Sequence, residues 1–202
     1  MLREIEQRRS IRRYKPIPIA WSKLMEIVDA ARHAPTPGNL QNFSLILVVS
    51  PSKILEIAKI ADQDWIETAK AIIVVCANLK NDYDEMYTHH AAGAVIENML
   101  LEAVHQGLGA CWVEAFDKEK LRKLLKIEES EPLAFITLGI PDETPRKKIL
   151  KPLSVFLSYE EEGKRKIEIT EFRENPRLLD RVKRFISEFK NQLKILKKHL
   201  FK

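Results

Sequence analysis

The chain predicts an α/β (α+β) fold: a central mixed sheet of four to five strands flanked by helices, with a C-terminal helical extension. Three observations carry that expectation. Apolar runs rich in branched residues, at 44–49, at the end of 65–77, at 110–117 and at 133–140, have the length and continuity of strands covered on both faces. Segments with apolar residues at three- and four-residue spacing lie between them and read as helices. After Tyr159 the composition changes, which divides the chain into a domain over 1–158 and an extension over 159–202.

The elements follow in order. Residues 2–9 read as a short helix, and Pro16 and Pro18 force an extended connection after it. A second helix begins near Ser22, with Leu24, Ile27, Val28 and Ala31 on one face, and stops before Pro35. Residues 34–43 carry two prolines, a glycine and asparagines, so they form a loop that feeds the strand at 44–49. A helix over 52–61 and the stretch 65–77 lead to the second strand. The polar loop Asn78 to Tyr87 then precedes the longest helix of the domain, for which Thr88 is the expected cap and which keeps Val95, Met99 and Ala103 on its buried face. Gly107 or Gly109 ends that helix. Asp117 caps a helix over 118–125. Beyond the fourth strand, residues 166–172 alternate like an edge strand. Asn175-Pro176 then opens an amphipathic helix carrying Leu178, Val182, Phe185, Phe189, Leu193 and Leu200.

Composition bounds the function. At 202 residues, 45% hydrophobic and 31% charged, the chain has the makeup of a soluble globular protein. No apolar run approaches a membrane span and the first residues have no signal-peptide core, so a cytoplasmic location is expected. The two cysteines, Cys76 and Cys111, lie in apolar strands and form no Cys-x-x-Cys pair, so reduced core thiols and no metal site are expected. The net charge of +5 is concentrated at residues 8–13 and 146–151 and in the C-terminal helix. There is no Gly-x-Gly-x-x-Gly fingerprint or phosphate loop, so any nicotinamide cofactor would bind as a transient substrate and not in a Rossmann domain.

Arg8-Arg9-Ser10-Ile11-Arg12-Arg13 packs four guanidinium groups and a hydroxyl into six residues. Read by itself it is a phosphate clamp or a solvated basic turn. Asn39 and Gln41 each offer a donor and an acceptor to a planar heterocycle, or else bond their own loop.

These residues, taken together, resemble the FMN-dependent nitroreductase family. The resemblance runs from Arg-x-Ser-x-Arg, through Ala34-Pro35-Thr36-Pro37-Gly38-Asn39-Leu40-Gln41-Asn42-Phe43, to the Ala-rich helix and Gly-Leu-Gly-Ala-Cys-Trp over 92–112, and spans about residues 3–157. Asn42 and Phe43 stand where the family usually has Pro-Trp, and Ala115 where glycine is common. The resemblance implies a nitroreductase-like sandwich and an intertwined homodimer with FMN at the subunit interface. It further implies an NAD(P)H-dependent FMN oxidoreductase that passes a hydride through flavin N5 to a nitroaromatic, quinone or flavin by a ping-pong mechanism.

Carried onto this sequence, Arg8, Arg9 and Ser10 hold the phosphate, with Lys148 or Lys151 closing from the other side; Leu150 occupies the usual arginine position. Arg12 stabilises charge at the N1/O2 edge, and Arg13 is left to solvent. Thr36, Pro37, Gly38, Asn39 and Gln41 serve the ring, and Glu114 and Ala115 present a backbone amide to N5. The rival readings are a reductive dehalogenase or flavin-fragmenting enzyme on the same fold, and a non-catalytic basic module for nucleic acid. The last lacks the aromatic-basic interleaving that single-strand binders show.

Overall fold

The computed structural model describes residues 1–77 and 85–164, arranged as two compact units, Met1–Lys148 and Ile149–Lys202. The expected strand at 166–172 and the helix after Pro176 lie outside the described residues, as do residues 78–84 of the expected polar loop.

In the first unit, helix α1 (Arg3–Gln7) and an extended strap lead to α2 (Trp21–Arg32), then β1 (Phe43–Val48), α3 (Pro51–Ala61), β2 (Ala71–Ala77), α4 (Glu85–His105), β3 (Gly109–Val113), α5 (Lys118–Leu125) and β4 (Glu131–Gly139). Short 3-10 turns occupy Pro37–Asn39 and Asp64–Thr68. The sheet runs in the order β1-β2-β4-β3. β2 is buried at every position, and its side chains alternate between two cores. Ile73 and Val75 face Leu24, Ile27, Val95 and Met99 of α2 and α4. Ile72, Val74 and Cys76 join Ile54 and Ile57 of α3, Leu121 of α5 and Phe135 of β4. Helices on both faces therefore explain why the strand sequences read as continuous apolar runs.

The expected mixed sheet needs correction. The three ladders are all antiparallel, and the parallel component is a single bridge, Ser10 to Ala110. The apolar run reported two-sided burial, which parallel sheets usually have but an antiparallel sheet between two helical layers has too. The polar loop is also shorter than expected, because α4 already includes Glu85, Met86 and Tyr87. Thr88 does not cap it; its buried hydroxyl accepts a hydrogen bond from Asn42 Nδ2 at 3.1 Å, which ties the start of α4 to the entry of β1. His89 and His90 fall one turn inside the helix.

Asp117 caps α5 as expected, its Oδ1 accepting from the Lys120 N–H at 3.0 Å. Of the two glycines after α4, Gly107 takes the left-handed conformation (φ 74°), whereas Gly109 opens β3. Burial pushes the Cys76 thiol up to about 11 and raises Cys111 as well, which keeps both protonated. In the second unit, Leu153–Val155 form a 3-10 turn, and Ser158 Oγ accepts from the Gly163 N–H at 3.0 Å.

Candidate functional site

The strap over residues 8–15 organises the site. It leaves α1 with the Arg8 N–H on the Glu4 carbonyl and then runs along the outer edge of β3, where the Ile11 N–H donates to the Ala110 carbonyl at 3.0 Å. It finishes against the end of β4: the Lys15 N–H donates to the Ile140 carbonyl at 2.9 Å, and the Asp142 N–H to the Arg13 carbonyl at 2.9 Å. Two large side chains fix it to the sheet. A Cβ on Gly109 would meet Ile11 at 2.9 Å, and one on Gly139 would meet the Tyr14 ring at 2.6 Å, so both glycines make room for the strap. The buried Tyr14 hydroxyl bonds the Ile11 carbonyl at 2.5 Å and Thr137 Oγ1 at 2.7 Å, and burial raises its pKa.

Stitching the strap down leaves its polar residues in a cleft of about 420 Å³ lined by Arg8, Arg9, Ser10, Arg12, Glu143, Pro145, Arg146 and Lys148. Five cations face one carboxylate there. Arg8 is half-buried and held by Glu97 of α4 at 3.5 Å. Arg9 bends back so that Nη1 donates to the carbonyls of Glu6 and Arg8 at 2.8 and 2.7 Å, which orients the remaining donors of its fork. The donor set suits a phosphate monoester: several guanidinium and ammonium groups, a neutral hydroxyl, and a single acid already engaged by main-chain amides. A larger cavity, about 970 Å³ between α1, α2 and α4, is rimmed by Glu4, Glu26, Asp29 and Glu102. Those carboxylates repel an anion, so charge and not size selects the smaller cleft.

Arg13 is exposed, as expected, and its side chain also helps to fasten the strap. Its Nε donates to the Asp142 carbonyl at 2.6 Å, with the Asp142 carboxylate at 3.9 Å. Arg12 leaves the strap differently, its guanidinium 5.8 Å from the centre of the Trp65 ring. Trp65 Nε1 donates to Gln63 Oε1 at 3.0 Å, and Gln63 Nε2 donates to the Ala115 carbonyl at 3.3 Å. This chain of contacts links Arg12 to Glu114 and Ala115, both exposed just beyond β3. Sequence reasoning missed Trp65, Gln63, Glu143 and Arg146. A bulky aromatic in the polar context Gln63-Asp64-Trp65 was the available signal for the first two, whereas Glu143, next to Asp142, carried no local signal.

The loop over 36–41 lies elsewhere. It enters β1, the opposite edge of the sheet from β3, three interstrand steps of about 4.8 Å away. It also sits at the opposite end: Phe43 pairs with Ala77 and Ala77 with Glu131, whereas the strap crosses near Gly109 and Gly139. Within the loop, Gln41 Nε2 donates to Asn39 Oδ1 at 3.1 Å, and the Gln41 N–H to Thr36 Oγ1 at 3.2 Å. Gly38, Asn39 and Gln41 all have φ near 50° (55°, 56° and 49°), a run that strains the two non-glycine residues. One chain thus brings Arg8, Arg9, Ser10, Arg12 and Lys148 together but leaves Thr36, Pro37, Gly38, Asn39 and Gln41 apart from them. Lys151 belongs to the second unit.

Among the described residues no group of three or more His, Cys, Asp or Glu side chains could hold a metal ion, and no helix is long and apolar enough to cross a membrane.

A sequence profile of the Nitroreductase family matches residues 5–67 and 58–140. A protein of Archaeoglobus fulgidus, named as a candidate NADH dehydrogenase/NAD(P)H nitroreductase, is 32% identical over 151 residues, covering 70% of this chain and 86% of its own. The NADPH-flavin oxidoreductase of Vibrio harveyi is 28% identical over 163 residues, covering 73% and 68%. Among solved structures, a nitroreductase family protein from Clostridium difficile 630 superposes with a TM-score of 0.67 at 27% identity, covering 78% of this chain and 96% of that one.

Proposed function

The chain belongs to the nitroreductase family, and from that premise we propose that it is an NAD(P)H-dependent oxidoreductase that holds FMN by its phosphate in the cleft of the strap. The observation that carries the reading is the cleft itself, which Arg8, Arg9, Ser10, Arg12, Arg146 and Lys148 line with one opposing carboxylate. When bound, FMN supplies hydride acceptance and donation at its N5, chemistry no side chain here can replace.

The chain's own residues supply position and charge. Arg8, Arg9 and Ser10 grip the phosphate, and Lys148 adds a mobile charge from the far wall of the cleft. Arg12, steered by Trp65, places a permanent positive charge where the reduced ring gathers negative charge, at the N1/O2 edge. The exposed backbone at Glu114 and Ala115, tied to Trp65 through Gln63, offers an N–H toward the reacting nitrogen.

Asn39 and Gln41 serve the ring of a second copy. Their placement at the opposite edge and end of the sheet keeps them from the Arg cluster of their own chain, which supports a homodimer with two composite sites. The exposed side chains of Ile149, Leu150 and Phe156 add apolar surface that such an association can cover. Nicotinamide nucleotide and a small electron-poor acceptor, a nitroaromatic, quinone or flavin, use the same pocket in turn, which gives ping-pong kinetics.

Titration of the purified protein with FMN tests this reading. Flavin fluorescence should quench with saturation at one FMN per chain, and the bound flavin should bleach anaerobically on addition of NADH or NADPH. Protein that takes up no FMN, or whose flavin stays oxidised with both nucleotides, would refute it.

A further inference from the structure

The cleft contains one residue that the flavin reading leaves without a part. Glu143 lies just beyond β4, half-buried, and is the single acid among the described residues lining the cleft. A carboxylate beside a phosphate site opposes the phosphate's charge, so its presence there asks for another role. Its partners indicate one. Oε1 accepts the Arg12 N–H at 2.5 Å and the Arg13 N–H at 3.2 Å. Elsewhere the strap bonds to neighbouring main chain, through Ile11 to Ala110, Arg13 to Asp142 and Lys15 to Ile140. At Arg12 and Arg13 the acceptor is instead this side chain, reaching back from a position 131 residues further along the sequence.

We propose that Glu143 is a positioning residue for the flavin site, an inference that rests on the FMN reading above. By gathering two consecutive main-chain N–H groups on one oxygen it fixes the backbone between Arg12 and Arg13, and with it the divergence of their side chains. Arg12 goes to the Trp65 ring, and Arg13 to the Asp142 carbonyl. Two consecutive N–H groups converge on one acceptor only in a bent backbone, so the carboxylate holds the bend from which Arg12 and Arg13 leave in different directions. The two N–H donors also stabilise the carboxylate in this position among Arg8, Arg9, Arg146 and Lys148.

Charge and position predict opposite signs, and that makes the inference testable with Glu143→Ala and Glu143→Gln. If the carboxylate were only a negative charge in an anion cleft, both variants would bind FMN more tightly. As a positioning residue, its loss in Glu143→Ala weakens FMN binding roughly tenfold, the scale of two lost charge-assisted hydrogen bonds. Glu143→Gln keeps an oxygen for the same N–H groups and restores most of the affinity. In FMN-free protein, the amides of Arg12 and Arg13 exchange hydrogen faster in Glu143→Ala, while the Ile11 amide, bonded to Ala110, keeps its protection.

The reduction potential of bound flavin moves negative in Glu143→Ala, because Arg12 no longer sits at the charge-gathering edge; removal of a bare negative charge would move it positive. If Glu143→Ala does not fold, Glu143→Asp replaces it, with the charge kept and the reach shortened, and the same direction of loss is expected. Unchanged or tighter FMN binding in the folded variant, or a positive shift of potential, overturns the inference alone. Wild-type protein that binds no FMN overturns it together with the reading beneath it.

Discussion

The ring of Tyr14 occupies the space that a side chain on Gly139 would need, its Cδ1 only 2.6 Å from where a Cβ would stand. Gly139 pairs with Gly109 across the β3–β4 ladder, and Gly109 leaves the same kind of gap for Ile11. The strap therefore crosses the sheet on a saddle of two facing glycines. The space left by the two strand glycines is filled by the chain's own anchors, Ile11 and Tyr14, while the strap's polar residues line the cleft.

Gly139→Ala and Gly109→Ala should each lift the strap. Overpacking of this kind costs about 1–3 kcal/mol, to be read as a lowered urea midpoint with an unchanged slope. FMN affinity should fall in parallel, since the residues displaced carry Arg8 to Arg12. Affinity unchanged alongside the lost stability would show that the saddle does not position the cleft.

Tyr14→Phe separates the ring from its hydroxyl. The ring still fills the saddle, but Thr137 Oγ1 and the Ile11 carbonyl lose a buried partner, at a cost of about 1–2 kcal/mol. Chemical denaturation of Tyr14→Phe beside Thr137→Val and the double variant would measure the coupling: the double should cost less than the sum of the singles.

Much of this arrangement was legible in the sequence and some of it was not, for physical reasons. The four strands and α4 could be read because burial on both faces leaves an apolar run with few interruptions. Strand direction could not, because the same run serves either direction when helices cover both faces. Arg8, Arg9 and Ser10 stood out as a local cluster of one chemistry. Glu143 did not, because its role consists of hydrogen bonds to Arg12 and Arg13, more than a hundred residues away, and nothing local marks it. Thr88 read as a cap since a threonine before an apolar periodicity usually is one; here Asn42 claims its hydroxyl and α4 starts a turn earlier. Asn39 and Gln41 were visible as loop amides, but their separation from the Arg cluster follows from strand order, which is a property of the whole sheet.

The two arginines at the ends of the cluster should behave differently. Arg8→Ala removes a half-buried fork directed into the cleft and should weaken FMN binding about tenfold or more, with a shallower salt dependence, because a charge-assisted phosphate contact is lost. Arg13→Ala, which loses only an exposed bond to the Asp142 carbonyl, should change FMN affinity less than about threefold. Fluorescence titrations at two salt concentrations check both. Equal losses would mean that the division of labour along the strap is wrong.

The strap's helical lead-in has a pH dependence of its own. His105 Nδ1, in the last turn of α4, lies 3.1 Å from Glu4 Oε1 of α1. Glu4's hydrogen bond, with the charge of Glu102 nearby, raises His105 above its ordinary 6.5, and His105 holds Glu4 below its ordinary 4.5. A raised histidine stabilises the fold fully below pH 6.5, and its contribution fades as pH rises through the higher folded value. A lowered carboxylate contributes above pH 4.5 and fades as pH falls through the lower folded value. The tether between α1 and α4 is therefore strongest from about pH 4.5 to 6.5. Both groups are solvated, so the effect should be small and sensitive to salt. Thermal unfolding of wild type beside His105→Gln should show a lower Tm for the variant at about pH 5.5, converging on wild type at about pH 8.5. A difference that persists or grows at the higher pH would mean that the neutral imidazole, through packing against α1, holds the helix and the ion pair does not.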